Sequence, residues 1–210
     1  MSVISPSAFD LQAVQKLRKI AVLAIGMMLI GATFFTQSPD GVDGNWHEAL
    51  EWAGLAAIAV AIVGRAWCSL YIGGRKKVEI VDRGPYSLSR NPLYIFSFFG
   101  AFGIGAQTGQ LTIAVLFVVV AWLIFRATVR KEEAWLMGRF GDVYAAYTAR
   151  TPRFWPRFKA WRDEDELTIR PAFFLLTLRD GLAFLIAIPL FEAVDFAQAE
   201  GWLHVLARLP

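Results

Sequence analysis

Four long stretches of the chain carry few or no charged side chains. They comprise residues 20–39, 52–74, 92–125 and 171–191. A helix needs roughly 20 residues to cross a bilayer core of about 30 Å. Residues 92–125 are too many for one crossing, so they predict a helical hairpin whose polar, glycine-containing turn lies at 106–110. The pattern therefore predicts helices near 17–37, 50–73, 92–106, 110–128 and 171–192.

The composition agrees with a membrane protein. Hydrophobic residues make up 56% of the 210 residues and charged residues 19%, against about 45–50% and about 25% in soluble domains. A single cysteine excludes a disulfide scaffold, and a net charge of +3 gives no reason to expect nucleic-acid binding. We predict an all-α integral membrane protein with about five transmembrane helices. Residues 1–170 form its membrane core, and residues 171–210 form a fifth transmembrane or interfacial helix plus a tail.

The charged residues between the predicted spans differ in sign from one loop to the next. Lysine and arginine are concentrated before the first helix, between the second and third helices, and after the hairpin, whereas the charged residues of 37–51 are acidic. Cytoplasmic loops of membrane proteins carry an excess of lysine and arginine. We therefore predict that the N-terminus and the segments 75–91 and 129–170 are cytoplasmic. In a bacterium the membrane would be the inner one.

The last apolar segment contains the charged pair Arg179–Asp180, which would lie at mid-bilayer if the segment crosses. Charges at that depth cost at least ~2.5 kcal/mol each on insertion scales. The pair can face neighbouring helices, the segment can consist of two short interfacial helices that break at Asp180–Gly181, or the pair can line a substrate cavity. The sequence leaves these three interpretations open.

Residues 84–94 combine polar and aromatic side chains at the start of the hairpin. Asn91 and Pro92 are typical of a helix start, with asparagine at the N-cap and proline at the first helical position. A helix N-terminus at the membrane face presents free amides and a positive dipole to an anion. The segment is therefore either an anion site or only the capped start of a membrane helix with an interfacial tyrosine.

A second polar stretch follows the hairpin, at residues 126–154. The four-residue spacing from Glu132 to Tyr144 predicts one face of a helix that leaves the membrane, interrupted or kinked at Gly141. Adjacent carboxylates such as Glu132 and Glu133 amid several cations are typical of a solvated, ion-paired surface. The alternative is that the two glutamates recognise a polar, partly cationic cofactor next to the bilayer.

Together the two stretches resemble the isoprenylcysteine carboxyl methyltransferase family, which shares its cofactor-binding half with membrane phospholipid N-methyltransferases. The resemblance covers roughly 78–156 and rests on motifs in a family-like order. They are Gly84-x-Tyr86, Arg90-Asn91-Pro92-x-Tyr94, a hydrophobic hairpin, Arg126, Glu132-Glu133, Phe140-Gly141, Tyr144-x-x-Tyr147 and Pro156. Two positions depart from the family, because Asn91 stands where histidine is usual and Phe96 where glycine is common.

The resemblance implies a site for S-adenosylmethionine within 78–156, covered by a cytoplasmic helical segment, with S-adenosylhomocysteine as the product. The implied cofactor-binding residues are Tyr86, Arg90, Asn91, Pro92, Tyr94, Gly103, Gly105, Glu132, Glu133 and Tyr144. Helix packing is an alternative role for the glycine pair. The implied catalytic residues are Glu133 and Arg126. The guanidinium of Arg126 can hold an acceptor carboxylate or serve only as a positive anchor at the membrane surface.

These features predict an S-adenosylmethionine-dependent methyltransferase that acts on a lipidic or lipid-anchored acceptor in the membrane. Carboxyl O-methylation of an isoprenylcysteine-like substrate is the first interpretation, and phospholipid-type amine N-methylation is the second. A non-catalytic membrane module that retains the fold is the alternative from another class. His47 and His204 show no metal-ligand spacing, so no metal is predicted. The sequence does not specify an oligomeric state.

Overall fold

The computed structural model describes residues 24–75 and 78–210. Expectations that concern Lys76, Lys77 or residues 1–23, including the start of the first predicted helix, lie outside the described residues. The α-helices are α1 (Ala24–Thr33), α2 (Asn45–Ile72), α3 (Pro85–Leu88), α4 (Pro92–Ala106), α5 (Leu111–Phe140), α6 (Asp142–Arg150), α7 (Pro171–Leu182) and α8 (Ala187–Ala199). Single 3₁₀ turns occupy Phe158–Ala160 and Ala183–Ile186. The strands β1 (Thr36–Gln37) and β2 (Ala207–Arg208) form a short parallel pair.

The predicted all-α fold and its helical hairpin are confirmed. α4 ends at Ala106, Gly109 adopts a φ of +63° in the turn, and α5 begins at Leu111. α5 continues to Phe140, well beyond its predicted membrane-spanning part. Gly141, with a φ of +49°, separates α5 from α6, which is the interruption that the sequence predicts. One unbroken helix thus carries both the second arm of the hairpin and the glutamate pair.

Apolar helices of membrane-crossing length dominate the fold. Among the described residues, three helical stretches are long and apolar enough to cross a membrane: Asn45–Ile72, Leu111–Phe140 and Pro171–Ala199. Ala24–Thr33 and Pro92–Ala106 are shorter apolar helices. Many large apolar side chains on these helices are exposed, as a lipid-facing surface requires. The number of helices that cross the membrane stays a prediction.

Glycines bring α4 into close contact with both of its neighbours. A Cβ atom at Gly103 would lie 2.6 Å from the carbonyl oxygen of Gly54 and 2.7 Å from the Ile58 side chain in α2. A Cβ atom at Gly105 would lie 2.6 Å from the Cα of Ala114 in α5. Small residues that allow such backbone approach favour helix association in lipid. α2, α4 and α5 therefore form the central packed unit.

The two ends of the helical bundle differ in charge. The acidic end contains the loop after α1, the start of α2, the 107–110 turn and the C-terminal tail, joined by the β1–β2 pair. Gln198 of α8 strengthens this end, since its Nε2 donates to the carbonyl oxygens of Thr33 and Thr36 at 2.9 and 3.1 Å. The basic end contains the described parts of 75–91 and 129–170, which are joined by backbone hydrogen bonds. The polar motifs of the sequence therefore lie at the basic end.

The C-terminal apolar segment changes its helical form in the middle. α7 packs against α2, and the 3₁₀ turn Ala183–Ile186 joins it to α8. Arg179 and Asp180 are exposed, and their side chains approach each other at 3.5 Å. Neither residue lines the cavity of about 620 Å³ at the other polar end of the bundle. The change of helical form lies at Ala183–Ile186, a few residues after the predicted break at Asp180–Gly181. Whether the segment crosses the membrane, and which role the pair has there, stay predictions.

Candidate active site

A cavity of about 620 Å³ opens at the basic end of the helical bundle. Its walls come from the end of α2, residues 79–81, the segment from α3 into α4, residues 131–136 of α5, and α6. Cofactor and small-molecule sites usually measure about 300–1,000 Å³. The cavity therefore has the size of a small-molecule site, and it is built from segments that are distant in the sequence.

An ion-pair network joins the two sequence motifs at the cavity wall. Arg90 Nε donates to Glu133 Oε1 at 3.1 Å, and Arg90 Nη1 donates to the carbonyl oxygens of Thr148 and Thr151 at 3.1 and 2.8 Å. Arg153 donates from Nε and Nη2 to Glu133 Oε2 at 2.9 and 2.6 Å. This carboxylate raises the pKa of Arg153 above its usual value. Arg90 and Glu133 are each only 12% exposed, so the network closes one side of the cavity.

Asn91 is the N-cap residue of α4, where the sequence predicts it, but its side chain does not cap the helix. Its Nδ2 instead donates to the carbonyl oxygen of Arg153 at 3.1 Å and lies 3.5 Å from Glu133 Oε1. Pro92 at the first helical position has no N–H group to satisfy. The Asn91 amide therefore ties the start of α4 to the chain that follows α6.

A second polar link connects α4 with α5. The hydroxyl of Tyr94 donates to Glu132 Oε2 at 3.2 Å, and the Tyr94 ring packs on Phe125 with a centroid distance of 4.8 Å. Tyr94 and Glu132 both line the cavity, together with the apolar side chains of Leu93 and Leu136. The cavity thus offers carboxylate, guanidinium, amide and phenol groups beside apolar walls.

Three buried tyrosines lie where α6 packs on α3: Tyr86 of α3 and Tyr144 and Tyr147 of α6. The hydroxyl of Tyr147 donates to the carbonyl oxygen of Tyr86 at 2.8 Å, which fastens α6 onto α3. Burial, with a contribution from the nearby charge of Glu133, raises the pKa of Tyr144 to about 12. Burial also raises the pKa values of Tyr86 and Tyr147 above the usual value. All three phenols are therefore neutral near pH 7.

The structure brings most of the predicted cofactor-binding residues to this one cavity. Those that line it are Tyr86, Arg90, Asn91, Tyr94, Glu132, Glu133 and Tyr144. Pro92 is the first residue of α4, between two lining residues. Gly103 and Gly105 lie in the last turn of α4, about 16 Å or more along the helix axis from Pro92. They pack against α2 and α5 and are not among the lining residues, which agrees with the alternative role in helix packing. Their predicted contact with the cofactor stays a prediction.

Arg126 is not among the residues that line the cavity. It lies on α5 two turns before Glu133, about 10 Å along the helix axis. Its side chain is exposed, and its guanidinium carbon lies 4.9 Å from the centre of the Trp122 ring, within the range of a cation–π interaction. This position agrees with an anchor at the membrane surface. The predicted contact of Arg126 with an acceptor carboxylate stays a prediction.

Comparisons with known proteins identify the family. The pattern of the phospholipid methyltransferase family matches residues 52–143. A protein-S-isoprenylcysteine O-methyltransferase of Schizosaccharomyces pombe is 30% identical over 99 residues, which are 47% of this chain and 42% of that protein. Residues 52–143 therefore match a membrane methyltransferase family. The resemblance inferred from the sequence motifs is thereby confirmed.

Two bacterial relatives match a larger part of the chain, and the chain belongs to the same family as they do. The nickel-cobalt-cadmium resistance protein NccN of Alcaligenes xylosoxydans xylosoxydans is 37% identical over 169 residues, which are 80% of this chain and 79% of the relative. The cobalt-zinc-cadmium resistance protein CzcN of Cupriavidus metallidurans is 35% identical over 168 residues, which are 80% of this chain and 77% of the relative. No solved structure matches the chain.

Several residues of the site are not predicted from the sequence. They include Glu79, Ile80, Val81, Lys131 and Trp135 in the cavity lining, and Arg153 in the ion-pair network. Arg153 reaches Glu133 only because the chain breaks at Gly141 and α6 leads it back toward α4. The short polar stretch that contains Arg153 is visible in the sequence, but its partner is not.

Proposed function

We propose that this protein is an S-adenosylmethionine-dependent methyltransferase that acts on a lipidic or lipid-anchored acceptor. One observation carries the proposal. Polar residues from 86–94 and from 131–147, which a hydrophobic hairpin separates in the sequence, line a single cavity of about 620 Å³. Membership of a methyltransferase family supports the same class of reaction.

The groups around the cavity suit the chemistry of S-adenosylmethionine. Arg90 and the start of α4 offer positive charge to the cofactor's carboxylate. Glu132 offers carboxylate oxygens to its ammonium or ribose hydroxyl groups, and the face of the Tyr94 ring suits the sulfonium. The apolar side chains of Leu93 and Leu136 suit the flat adenine ring. We therefore propose that these residues hold the cofactor.

Bound S-adenosylmethionine would supply an electrophilic methyl group, whose transfer requires in-line positioning of a nucleophile more than acid catalysis. The residues of this chain contribute position and shielding. Glu133 orients Arg90 and fastens Arg153 beside the cavity. The hydrogen bond from Tyr147 to the Tyr86 carbonyl oxygen holds α6 over the site. In this proposal Glu133 is a positioning residue.

The acceptor is proposed to enter from the bilayer along α5. This helix runs without a break from its apolar part to the glutamate pair, and an amphiphile beside it would meet Arg126 two turns before Glu133. A guanidinium orients a carboxylate through two parallel hydrogen bonds, which favours carboxyl O-methylation of an isoprenylcysteine-like substrate. An amine acceptor would be repelled by Arg126 and would need a carboxylate or tyrosine to accept its proton.

The cavity is proposed to face the cytoplasm. It lies among the segments that are rich in lysine and arginine, and such segments remain on the cytoplasmic side of membrane proteins. The N-terminus would lie on the same side, and the acidic end would lie on the opposite side. In a bacterium this arrangement means the inner membrane.

The proposed function is tested by methyl transfer from radiolabelled S-adenosylmethionine into a total lipid extract, with the full-length protein in detergent. Two relatives are named for resistance to nickel, cobalt, zinc or cadmium, so extracts should come from cells grown with and without these ions. Label should pass into the lipid fraction. Release of the label by mild base as volatile methanol would identify a methyl ester, and label that stays non-volatile after the same treatment would identify an N-methyl group.

Glu132→Gln and Glu166→Gln form a matched pair for this assay. Glu132 lines the cavity, whereas Glu166 is exposed and is not among the lining residues. The first variant should lose most of the transfer and the second should retain it. Equal transfer by both variants would contradict the proposed site. A folded protein without any transfer or cofactor binding would favour a non-catalytic membrane module.

A further inference from the structure

The acidic end of the bundle contains a histidine held between two carboxylates, which the proposed methyl transfer does not use. His47 and Glu51 lie one turn apart on α2, and Asp195 on α8 approaches them. His47 Nε2 is 3.3 Å from Glu51 Oε1 and 3.4 Å from Asp195 Oδ2. Between His47 and Ile72, which lines the cavity, α2 extends about 37 Å. The cluster is therefore separate from the candidate active site.

We propose that His47, Glu51 and Asp195 bind a divalent transition-metal ion. One ligand atom from each residue lies within 4.8 Å of the other two. With the two nitrogen–oxygen distances, this limit means that an ion at the centre of the three atoms would lie at most about 2.4 Å from each of them. Zinc–nitrogen and zinc–oxygen bonds are about 2.0–2.2 Å long. A contraction of a few tenths of an ångström, within the reach of a carboxylate rotation, would complete the coordination.

A hydrogen bond outside the cluster orients the imidazole toward the proposed ion. Ser38 Oγ has its shortest contact with the Gly41 carbonyl oxygen, to which it donates at 2.5 Å, so it can accept from His47 Nδ1 at 3.2 Å. The neutral ring then carries its proton on Nδ1 and directs the lone pair of Nε2 at the two carboxylates. Metal-binding histidines are typically oriented in this way by a second partner. In this tautomer a lone pair and two anions face one point, which a divalent cation can occupy; in the metal-free protein a proton on Nε2 would fill the same role.

The donor set and the burial indicate which ion fits. One imidazole and two carboxylates suit zinc, cobalt or nickel, whereas calcium and magnesium prefer oxygen ligands alone and copper(I) prefers sulfur. The His47 side chain is 3% exposed, but those of Glu51 and Asp195 are 26% and 18% exposed. An ion can therefore enter from the carboxylate side and keep water as a further ligand. Its binding would fasten α8 to α2.

The test is titration of the metal-free, full-length protein in detergent with Co²⁺, followed by calorimetry and by the visible d–d absorption of the bound ion. One Co²⁺ should bind per chain. His47→Gln and Asp195→Asn should each weaken binding at least about tenfold, and Ser38→Ala, which leaves all three ligands in place but removes the hydrogen bond to His47 Nδ1, should weaken it about 10- to 100-fold. His204→Gln is the matched control, because His204 is exposed, and it should keep the wild-type affinity.

Thermal unfolding gives a second readout that does not depend on methyl transfer. Zn²⁺ should raise the unfolding temperature of the wild type, because an ion that binds only the folded state stabilises it, and should leave that of Asp195→Asn unchanged. The absence of bound Co²⁺ in the folded wild type would overturn the proposal and assign the cluster to an ion pair with a proton on Nε2. Equal Co²⁺ affinity in the wild type, His47→Gln and Asp195→Asn would overturn it as well.

Discussion

Replacement of Glu133 by glutamine should destabilise the protein as well as disturb the cavity. Glu133 accepts hydrogen bonds from Arg90 at 3.1 Å and from Arg153 at 2.9 and 2.6 Å. The Arg90–Glu133 pair is mostly buried, and loss of one partner of a buried ion pair costs about 3–5 kcal/mol. Arg153 is 45% exposed, and exposed pairs contribute only about 0–1 kcal/mol. Because glutamine keeps the shape and one acceptor oxygen, we expect a loss of free energy of unfolding near the lower limit, about 3 kcal/mol.

Thermal unfolding in detergent, followed by tryptophan fluorescence, measures this loss. In a chain of this size 1 kcal/mol shifts the Tm by about 2–4 °C, so Glu133→Gln should lower the Tm by about 6–12 °C. Glu166→Gln is the control, because substitutions of exposed side chains usually change stability by less than about 0.5 kcal/mol. A Glu133→Gln Tm equal to that of the wild type would refute the conclusion that this network closes the site.

Three further predictions concern helix packing, the acceptor and alkaline pH. Gly103→Ala should lower the free energy of unfolding, measured by thermal unfolding, by about 1–3 kcal/mol, because the added Cβ would lie 2.6 Å from the Gly54 carbonyl oxygen. The control Gly138→Ala should not destabilise the protein, because nothing lies within 4 Å of its added Cβ. Arg126→Lys should bind S-adenosylmethionine normally but lose most transfer to a carboxylate acceptor; near-complete transfer would leave Arg126 as an anchor only. Stability should fall as the pH rises from about 10, the pKa of an unfolded tyrosine, to about 12, the pKa of Tyr144. Tyr144→Phe should make that part of a Tm-against-pH profile less steep, with the remaining slope from Tyr86 and Tyr147.

The helices could be predicted because their signals are local. The uncharged length of 92–125 indicates a hairpin, and the polar turn fixes where it reverses, so the bounds of α4 agree with the predicted 92–106. The continuity of α5 was not predicted, because the apolar pattern ends the membrane helix near residue 128. The charged residues after Arg126 also favour helix, so α5 continues without a break to the predicted interruption at Gly141. Charge patterns therefore mark the membrane boundary of a helix and not its end.

The candidate site could be predicted only as far as its motifs are contiguous. Arg90 and Asn91 precede the hairpin, and Glu132 and Glu133 follow it. Because the two arms of a hairpin are antiparallel, these residues come together at its open end. The sequence cannot show that the Asn91 side chain bonds to the Arg153 carbonyl oxygen instead of capping α4, because that choice depends on the path of the chain after α6.

The roles of Gly103 and His47 depend on packing between distant segments. Gly103 of α4 packs against Gly54 of α2. The sequence alone does not reveal this contact, because it depends on how the two helices lie against each other. The prediction of no metal considered only the spacing of the two histidines, and it stays untested; the proposed site adds Glu51, one turn after His47. Asp195 approaches the same point only through the packing of α8 on the acidic end. Long-range partners of this kind have no signal in one sequence.

The affinity of the full-length protein for S-adenosylmethionine, measured by calorimetry in detergent, tests the central claim most directly. We expect one bound cofactor per chain. A hydrogen bond to a charged group contributes about 1.5–3 kcal/mol, so Glu132→Gln should weaken binding at least about tenfold, while Glu166→Gln should bind like the wild type. No detectable binding to the folded wild type, or equal affinity in Glu132→Gln, would contradict the assignment of this cavity as the cofactor site.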